Sequence, residues 1–409
     1  MAFFKYFQKQ NRARIYLDVA SSTPVDLSMV KTFPVLSSEV LGANPSALHK
    51  EGVMAKTALA SARTLVAQTL LAHTDEIIFT SNATESDNLA LIGVVTAWIE
   101  KGIAPGDIVV YKSAIEHAAV SESAEMLSKK GVTVLTLETQ QGMVEPKDID
   151  VPEGAKAVIV SVMYVNNEIG TVQPIKEIAK RVRFLKKHNE GVEILFHVDA
   201  TQAPLHFSLT VPQLGIDMMT LGATKLYCPK GVGMLYVRRG ISLSPIIYGG
   251  GQERGLRPGT QPLELIHTFA HALSFAQNNR EEYTDKITLL QAYFEHTLAE
   301  EIPEVMITLK DAERTSHITH VAIKNFDSEL LVLELDARGI AVSAKSACKN
   351  DPHLRHRVGT GDDTESDIVT ALYGPNVGAI RFSFGRTTTQ RDLDRAIEAL
   401  KEVIEKYRK

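Results

Sequence analysis

One lysine in this sequence is well placed to form a covalent bond with a carbonyl compound. Lys225 lies in the segment GATKLYCPKG, from Gly222 to Gly231, between a short apolar run and the strand-like sequence GVGMLYV. A lysine held between two strands in this way can form an imine with an aldehyde cofactor. Because most lysines are solvated surface residues, this reading depends on the polar residues that the rest of the chain brings to it.

The second candidate for covalent chemistry is a cysteine near the carboxyl terminus. Cys348 lies in the polar segment SAKSACKNDPHLRHR with Lys345 and Lys349 close by, and adjacent cations favour a thiolate. A lone cysteine is also often a small buried apolar residue, so both interpretations stay open. The only other cysteine is Cys228. Two cysteines cannot build a disulfide framework or, alone, a metal site, and their scarcity suits a reducing cytoplasm.

Strand-like and helical segments alternate along most of the chain, which predicts a mainly parallel sheet with crossover helices. Functional residues of such a sheet lie beyond the carboxyl ends of its strands. Polar residues do follow three strand candidates, and they are Glu116 and His117, then Asn166, Asn167 and Glu168, then Asp199 and Gln202. An acid in this position could keep a pyridine nitrogen protonated, and an imidazole could stack on a ring or move a proton.

The segment SNATES follows another strand candidate and begins a helix. Free backbone amides and the helix dipole at such a start favour an anion, so a phosphate could bind at Ala83 and Thr84. The alternative is a capping box in which Thr84 caps the helix and Asp87 closes it. Before this segment, Met54, Ala58, Ala62, Leu65 and Leu70 recur at helical spacing, which predicts one buried helix face.

The later part of the chain has a glycine-rich loop and a different texture. Residues 248–262, YGGGQERGLRPGTQP, either approach a ligand closely or turn tightly. After residue 276 the pattern predicts a small α+β domain, with HVAIKN and AIRFSF as strands. Its last helix is amphipathic through Leu393, Ile397, Leu400 and Ile404.

Length and composition limit the functional classes. A chain of 409 residues exceeds the size of most single cores, so we expect two domains. A net charge of -5 argues against direct nucleic-acid binding, and no apolar run is long enough to span a membrane. The acid-free start MAFFKYFQKQNRAR is read as a frayed basic terminus, with a transit peptide or a membrane-touching helix as alternatives.

Eight motifs occur in order over nearly the whole chain: ATESDN, EHAAV, VNNEIG, HVDATQ, TKLYCPKG, GGGQERGLRPGT, SAC and IRFSFG. Together they resemble the cysteine desulfurases, which are pyridoxal-phosphate (PLP) dependent enzymes of fold type I, class V aminotransferase-like. The resemblance implies an α/β large domain with a mainly parallel seven-stranded sheet over residues 15–275. A small α+β domain over residues 276–409 would carry the Cys348 loop, and the first residues, to about 27, would pack on it.

The resemblance implies a catalytic role for three residues. Lys225 would hold PLP as an imine and then move the alpha proton of the substrate. His117 would stack on the cofactor ring, and the Cys348 thiolate would attack the sulfur of L-cysteine, leaving a persulfide and releasing L-alanine. The sulfur would pass to an iron-sulfur scaffold or a tRNA-thiolation carrier in the cytoplasm.

The resemblance also assigns binding residues, and it implies no metal. Asp199 would pair with the pyridine nitrogen, while Asn167 and Gln202 would touch the phenolic oxygen. Thr260 would reach the phosphate from the other subunit of a homodimer. The substrate carboxylate would be held by Arg381 with Asn44. The residues implied in cofactor binding are Ala83, Thr84, His117, Asn167, Asp199, Gln202, Gly222, Thr224, Lys225 and Thr260.

Three departures from the family pattern bear on activity. The family usually has Ser-Gly-His before the lysine, where this chain has Gly222, Ala223 and Thr224, so we expect weaker PLP retention. Cys228 replaces the usual glycine before Pro-Lys-Gly, and we expect it to pack in the core. The charged sequence after Cys348, with GTGDDTESD, also differs from the family.

Two other functions fit the same residues. The first is a selenocysteine lyase or another class V lyase or aminotransferase, and the SAC context of Cys348 argues against it. The second is a non-catalytic sulfur-transfer partner, because the serine and histidine before the lysine are absent. Retention of Lys225, Asp199 and Cys348 argues against that reading.

Overall fold

The computed structural model describes residues 14–344, 372–374 and 376–408. Its contacts divide the chain into two units. The larger unit consists of Thr23–Asn166 and Thr171–Glu281, and the smaller unit contains the residues up to Ser22, Asn167–Gly170 and the residues from Glu282 on. The predicted nucleophile Cys348 lies outside the described residues.

A seven-stranded mixed sheet forms the centre of the larger unit. Its spatial order is β2-β10-β9-β8-β7-β3-β4, and only β10 runs antiparallel to its neighbours. Most of its side chains are buried on both faces, which explains the apolar runs in the sequence. The strands are β2 (Ile77–Thr80), β3 (Ile108–Ser113), β4 (Thr133–Leu137), β7 (Ala157–Ser161), β8 (Glu193–Asp199), β9 (Met218–Gly222) and β10 (Gly233–Val237). The prediction of a mainly parallel seven-stranded α/β fold is confirmed.

Helices cover both faces of this sheet, and a small hairpin of β5 (Thr139–Gln140) and β6 (Met143–Val144) lies outside it. The helices are α1 (Leu27–Val30), α2 (Ser38–Leu41), α3 (Lys50–Leu70), α4 (Ala83–Asn88), α5 (Val94–Glu100), α6 (Ala118–Lys129), α7 (Ile175–His188), α8 (Val211–Leu214) and α9 (Leu263–Asn278). A π-helical segment, Leu89–Gly93, joins α4 to α5, so the helix that starts at Ala83 is continuous to Glu100.

The buried face of α3 differs from the predicted one. The prediction included Met54, which is 44% exposed, whereas the residues that are buried are Gly52, Ala55, Leu59, Ala62, Val66, Ala67 and Leu70. Small residues in this stripe allow α9 to pack closely on α3. The apolar spacing fits both faces, and the position of α9 selects the one with smaller side chains.

The smaller unit is an α+β structure with its own core. Two sheets are present in its described residues, β11-β12-β14 and β1-β13. Phe294, Phe382 and Phe384 pack edge to face at the centre of the core. The elements are β1 (Ile15–Tyr16), α10 (Arg280–Glu301), β11 (Val305–Ile307), β12 (Ile318–Lys324), α11 (Ser328–Ala337), β13 (Ile340–Ala341), β14 (Val377–Ser383) and α12 (Gln390–Tyr407). The amphipathic last helix is confirmed, because Leu393, Ile397, Leu400 and Ile404 are all buried.

The described residues contain neither a helix suited to span a membrane nor a cluster suited to bind a metal ion. None of their helices combines the length and apolar character that a membrane span requires. Nor do their His, Cys, Asp and Glu side chains form a group that could hold a metal ion.

Gly233 fixes the distance between the sheet and the start of α4. A Cβ atom at this position would lie 2.6 Å from the carbonyl carbon and 2.8 Å from the carbonyl oxygen of Asn82, which are backbone atoms. We therefore expect Gly233→Ala to displace the start of α4 and to lower the free energy of unfolding by roughly 1–3 kcal/mol in a denaturant titration. Gly106→Ala is the control, since nothing lies within 4 Å of its Cβ position. Equal stability of the two variants would contradict this packing account.

Candidate active site

The lysine predicted from the sequence lies in a tight turn at the carboxyl end of β9. Residues Ala223–Lys225 form a 3-10 turn directly after the strand, and Lys225 is half-buried. The turn is held by Thr23, a residue that the sequence analysis missed. The Thr23 amide and hydroxyl both donate to the Thr224 carbonyl oxygen, at 2.9 and 3.1 Å, and the Thr23 hydroxyl accepts from the Tyr227 amide at 2.8 Å. A segment distant in sequence therefore fixes the backbone position from which the Lys225 side chain extends.

The thiol three residues after this lysine is a packing group. Cys228 is 1% exposed, and its Sγ donates to the Ala223 carbonyl oxygen at 3.6 Å. Burial raises the pKa of the Cys228 thiol to about 12. Because the thiolate is the reactive form, Cys228 is inert near neutral pH, in agreement with the expectation that it packs in the core.

Asp199 ends β8, the strand next to β9, and lies opposite Thr220 in the register. Its side chain is buried, and its Oδ1 accepts from the Thr201 amide at 2.9 Å and from the Thr201 hydroxyl at 2.5 Å. Two donors on one oxygen stabilise a buried carboxylate. Gln202 is also buried, one turn further along the same loop. The carboxyl ends of two adjacent parallel strands thus place an acid and a lysine on the same edge of the sheet.

His117 lies on that edge too, after β3. It is the N-cap of α6, where its Nδ1 accepts a hydrogen bond from the Ala119 amide at 3.1 Å. This acceptor role leaves the ring hydrogen of a neutral imidazole on Nε2. The capping bond therefore fixes both the orientation of the ring and its tautomer, as a ring that stacks on a ligand requires.

Ala83 and Thr84 are the first residues of α4, so their amides have no partner within the helix. The N-cap is Asn82, whose side chain accepts from the Glu85 amide at 2.8 Å. The alternative capping box of Thr84 and Asp87 is wrong, because Asp87 points into the core. Gly222 lets this helix start approach β9, since a Cβ there would lie 3.1 Å from the Ala83 Cβ. The first amides of α4 are thus held near the turn that carries the lysine.

A buried carboxyl group that the sequence did not indicate, that of Asp87, lies close to this edge of the sheet. Asp87 is 1% exposed and neither of its oxygens has a hydrogen-bond partner among the described residues. Burial, with the charge of Asp199 close by, raises the pKa of Asp87 well above its ordinary value. Its neighbour His197 lies 3.6 Å away and is bonded to Ser161 and Thr220, and burial lowers the pKa of His197 to about 3. His197 is therefore neutral and cannot balance a charge on Asp87.

Glu116 is a second buried acid of this kind. Its Oε1 accepts from the Ser113 hydroxyl at 2.5 Å and from the Met163 amide at 2.8 Å, and its Oε2 has no partner in the described chain. Burial raises the pKa of Glu116 to about 8. Of the acids on this edge, Asp199 accepts two hydrogen bonds on one oxygen, whereas burial favours the protonated forms of Asp87 and Glu116.

In the smaller unit, Arg381 lies on β14 and is 2% exposed. Its Nη2 donates to Asp18 Oδ1 at 2.7 Å and to Ser21 Oγ at 2.6 Å, and its Nη1 donates to the Asn167 carbonyl oxygen at 2.5 Å. Its Nε is buried without a partner among the described residues. The structure thus brings Arg381 and Asn167 together, and it adds Asp18 and Ser21, which the sequence did not indicate.

The two remaining predicted site residues, Asn44 and Thr260, are exposed. Asn44 is exposed, and its Oδ1 accepts from the Ser46 amide at 2.9 Å in a local turn. Thr260 is exposed in the glycine-rich loop. In the ranges that the structure describes, neither side chain makes a hydrogen bond to another predicted site residue.

The chain resembles known proteins along nearly its whole length. The class V aminotransferase profile matches residues 15–396. Cysteine desulfurase IscS of Dictyoglomus turgidum is 33% identical over 401 residues, covering 97% of this chain and 96% of that protein. Cysteine desulfurase IscS of Methanosarcina thermophila is 34% identical over 400 residues, covering 98% of this chain and 94% of that protein.

Solved structures agree with these relatives. A NifS-like protein superposes with a TM-score of 0.80 at 30% identity, covering 96% of this chain and 99% of that one. SspA in complex with cysteine superposes with a TM-score of 0.69 at 31% identity, covering 90% and 98%. The fold is therefore shared with these proteins.

A neutral Asp87 has a consequence for the pH dependence of stability. Because its pKa is raised on folding, the folded chain keeps a proton that the unfolded chain releases above the ordinary value of 3.8. Asp87 therefore lowers the free energy of unfolding as pH rises above that value. The slope is about 1.4 kcal/mol per pH unit between the pKa of the unfolded chain and that of the folded chain. Asp87→Asn has no such proton, so we expect its melting temperature relative to wild type to increase steadily from about pH 4 to pH 8.

The control for this measurement is Asp285→Asn, at an exposed position of α10. Its melting temperature should follow that of the wild type across the same pH range. A Tm difference for Asp87→Asn that stays constant or falls with rising pH would mean that Asp87 is ionised in the folded chain.

Proposed function

The chain belongs to the class V aminotransferases and, within them, to the cysteine desulfurases, and from this membership we propose that it converts L-cysteine to L-alanine and transfers the sulfur to Cys348. The observation that supports this most strongly is the turn after β9, where Lys225 lies on the same sheet edge as the buried carboxylate of Asp199. These are the two groups that an aldehyde cofactor with a pyridine ring requires from its protein.

The residues of the larger unit fit pyridoxal phosphate. The first amides of α4 are free to bind a phosphate, and Gly222 allows the close approach that this contact needs. Asp199 can accept from a protonated ring nitrogen, while the neighbouring acids are neutral and do not compete for it. We assign the phosphate to Ala83, Thr84, Gly222 and Thr224, and the ring and its phenolic oxygen to His117, Asp199, Gln202 and Lys225. Asn167, which belongs to the smaller unit, is proposed as a further contact of the phenolic oxygen. When bound, this cofactor supplies an electron sink for the carbon atoms of the substrate.

Lys225 has two functions in this proposal. Its amine would hold the cofactor through the aldehyde group, and it would move the alpha proton of the substrate. The bonds from Thr23 hold the backbone of the turn, so the Cα of Lys225 has a fixed position for both functions. His117 presents a ring of fixed tautomer, which suits it to stacking and to passing a proton from Nε2.

The substrate carboxylate is assigned to Arg381, with Asn44. The guanidinium group of Arg381 is desolvated and held by Asp18, Ser21 and the Asn167 carbonyl oxygen, which limits its movement. Its Nε donor is still unsatisfied within the described residues, so it has hydrogen-bonding capacity for a carboxylate.

Sulfur transfer is assigned to Cys348. Its thiolate attacks the sulfur atom of the bound cysteine, so that an S–S bond forms as the C–S bond breaks. The electron pair of the broken bond stays with the substrate carbon, which takes up a proton and leaves as part of L-alanine. The persulfide then carries the sulfur to an acceptor, for which an iron-sulfur scaffold or a tRNA-thiolation carrier is proposed. A reducing compartment such as the cytoplasm would keep Cys348 available.

We also propose a homodimer, in which Thr260 of each copy reaches the phosphate bound by the other. The exposure of Thr260 supports this arrangement, because the side chain is free to contact a second molecule.

The proposed reaction is tested by sulfide release from L-cysteine in the presence of a reductant. Wild type should release sulfide with matching L-alanine, and Cys348→Ala should lose at least about 99% of this activity, since removing a covalent nucleophile typically costs several orders of magnitude. Cys228→Ala is the matched control and should keep it, because that thiol is buried and protonated. Full activity of Cys348→Ala on selenocysteine but not on cysteine would favour a selenocysteine lyase instead.

The departure at Thr224 makes a separate prediction about cofactor retention. If the Thr224 hydroxyl replaces the usual histidine as a phosphate donor, Thr224→Ala removes a charge-assisted hydrogen bond and should weaken PLP binding about tenfold. Absorbance of the bound cofactor during dialysis measures this loss. Thr57→Ala is the control, since the Thr57 hydroxyl bonds only to the Val53 carbonyl oxygen of its own helix. Equal cofactor loss from both variants would show that Thr224 makes no phosphate contact.

A further inference from the structure

The glycine-rich loop contains a strained turn. Glu253 and Arg254 both have positive φ angles, 44° and 61°, and Gly255 follows at 80°. Non-glycine residues adopt this left-handed conformation at a cost, so two in succession persist only where the surrounding structure enforces them. The turn lies in the described, well-packed part of the larger unit, and its neighbours show what enforces it.

The Glu253 side chain holds the turn against the sheet. Its carboxylate is 1% exposed and accepts from both terminal nitrogens of Arg63, at 2.8 and 2.6 Å. It also accepts from the Phe79 amide at 2.9 Å and from Gln261 Nε2 at 3.2 Å. One carboxylate thus joins α3, β2 and the residue directly after Thr260.

Two further contacts close the loop. The Gly259 amide donates to Gln252 Oε1 at 3.1 Å, which joins its two ends. Arg257 Nε donates to Glu85 Oε1 at 3.0 Å, and Glu85 belongs to α4, the helix whose first amides are assigned to the phosphate. Burial raises the pKa of Glu85, but hydrogen bonds from Ser81 and Arg257 outweigh this effect and hold the pKa below its ordinary value. The ion pair therefore persists at neutral pH.

The outer side of this rigid loop is open to solvent. Thr260 and Gly259 are exposed, and the preceding residues Ile247 and Tyr248 are 46% and 81% exposed. A loop held by a buried ion pair, with strained backbone, therefore presents a polar side chain and two apolar side chains that the described chain itself does not cover. Such an arrangement presents a fixed surface to another molecule.

We propose that Glu253 is a positioning residue that acts on the cofactor site of a second copy of this chain, by holding the 252–261 loop so that Thr260 can reach the phosphate bound there. This inference rests on the proposed homodimer and adds a residue to it. Glu253 touches neither cofactor nor substrate. Its bond to Gln261 and its hold on the strained turn set the position of Thr260, so its effect should appear in the partner's site and not in its own.

Mixed dimers distinguish an effect of Glu253 on the partner's cofactor site from an effect on the site of its own subunit. Two copies with different affinity tags, one carrying Glu253→Gln and the other Lys225→Ala, are co-expressed, and the mixed dimers are purified through both tags. In these dimers one site combines the intact Lys225 of the first copy with the intact loop of the second. We expect Glu253→Gln homodimers to lose pyridoxal phosphate roughly tenfold faster than wild type, as expected for a misplaced phosphate donor. Mixed dimers should retain one cofactor each at the wild-type rate.

Cofactor absorbance during dialysis is the main readout, and sulfide release, expected at half the wild-type value per dimer, is the second. If the mixed dimers lose cofactor as fast as the Glu253→Gln homodimers, Glu253 acts within its own subunit and the inference is wrong. A monomer in sedimentation velocity would overturn it as well. If wild type dimerises and binds cofactor but releases no sulfide, the proposed reaction fails while the retention measurement still tests this inference.

Two controls guard against a general loss of stability. Glu295→Gln breaks a comparable buried pair in the smaller unit, where Glu295 binds both terminal nitrogens of Arg314. It should lower the melting temperature without changing cofactor retention, and a Glu295→Gln protein that loses cofactor equally fast would overturn the inference. If Glu253→Gln does not fold, Gln261→Ala removes only the link to the residue beside Thr260 and should give the same pattern in mixed dimers.

Discussion

The buried side chain of Asp199 is the group on which the proposed chemistry of the larger unit depends. A charge inside a sheet edge is costly unless donors stabilise it and no second charge of the same sign lies nearby. Thr201 supplies the donors, and the protonated states of Asp87 and Glu116 remove the competing charges. When protonated, the surrounding acids thus reduce the repulsion on Asp199, the side chain that is proposed to pair with a ring nitrogen. In this arrangement the folded chain keeps the protons of Asp87 and Glu116 near this edge.

The same edge is assembled by contacts that join distant parts of the chain. Hydrogen bonds from Thr23 hold the turn that contains Lys225, and the absence of a side chain at Gly233 lets the start of α4 pack against the sheet. Each contact restricts backbone atoms of this edge. The proposed role of Lys225 requires such a restriction, because a lysine that forms an imine needs its Cα held in place.

The sequence was sufficient for the parts of this architecture that depend on local patterns. The strand Glu193–Asp199 and the helix after Pro174 were predicted from apolar periodicity, and polar residues after strands indicated the active edge. The buried face of α3 was predicted only in part, because it depends on where α9 packs: Ala62 and Leu70 are buried, whereas Met54 is exposed. Thr23 and Glu253 could not be found, because a threonine in a turn and a glutamate in a polar loop carry no signal of partners far along the chain. The Cys348 loop lies outside the described residues, so its prediction stays untested.

The burial of Cys228 explains how a second thiol can be tolerated close to a reactive lysine. An exposed thiolate at this position could add to a bound aldehyde and compete with the amine of Lys225. Burial raises the pKa of this thiol to about 12, so its reactive form is nearly absent at neutral pH. Cys348, by contrast, lies in a sequence with lysines on both sides, which favours its thiolate. The burial of Cys228 therefore means that this residue, where the family usually has a glycine, adds apolar packing without adding a nucleophile.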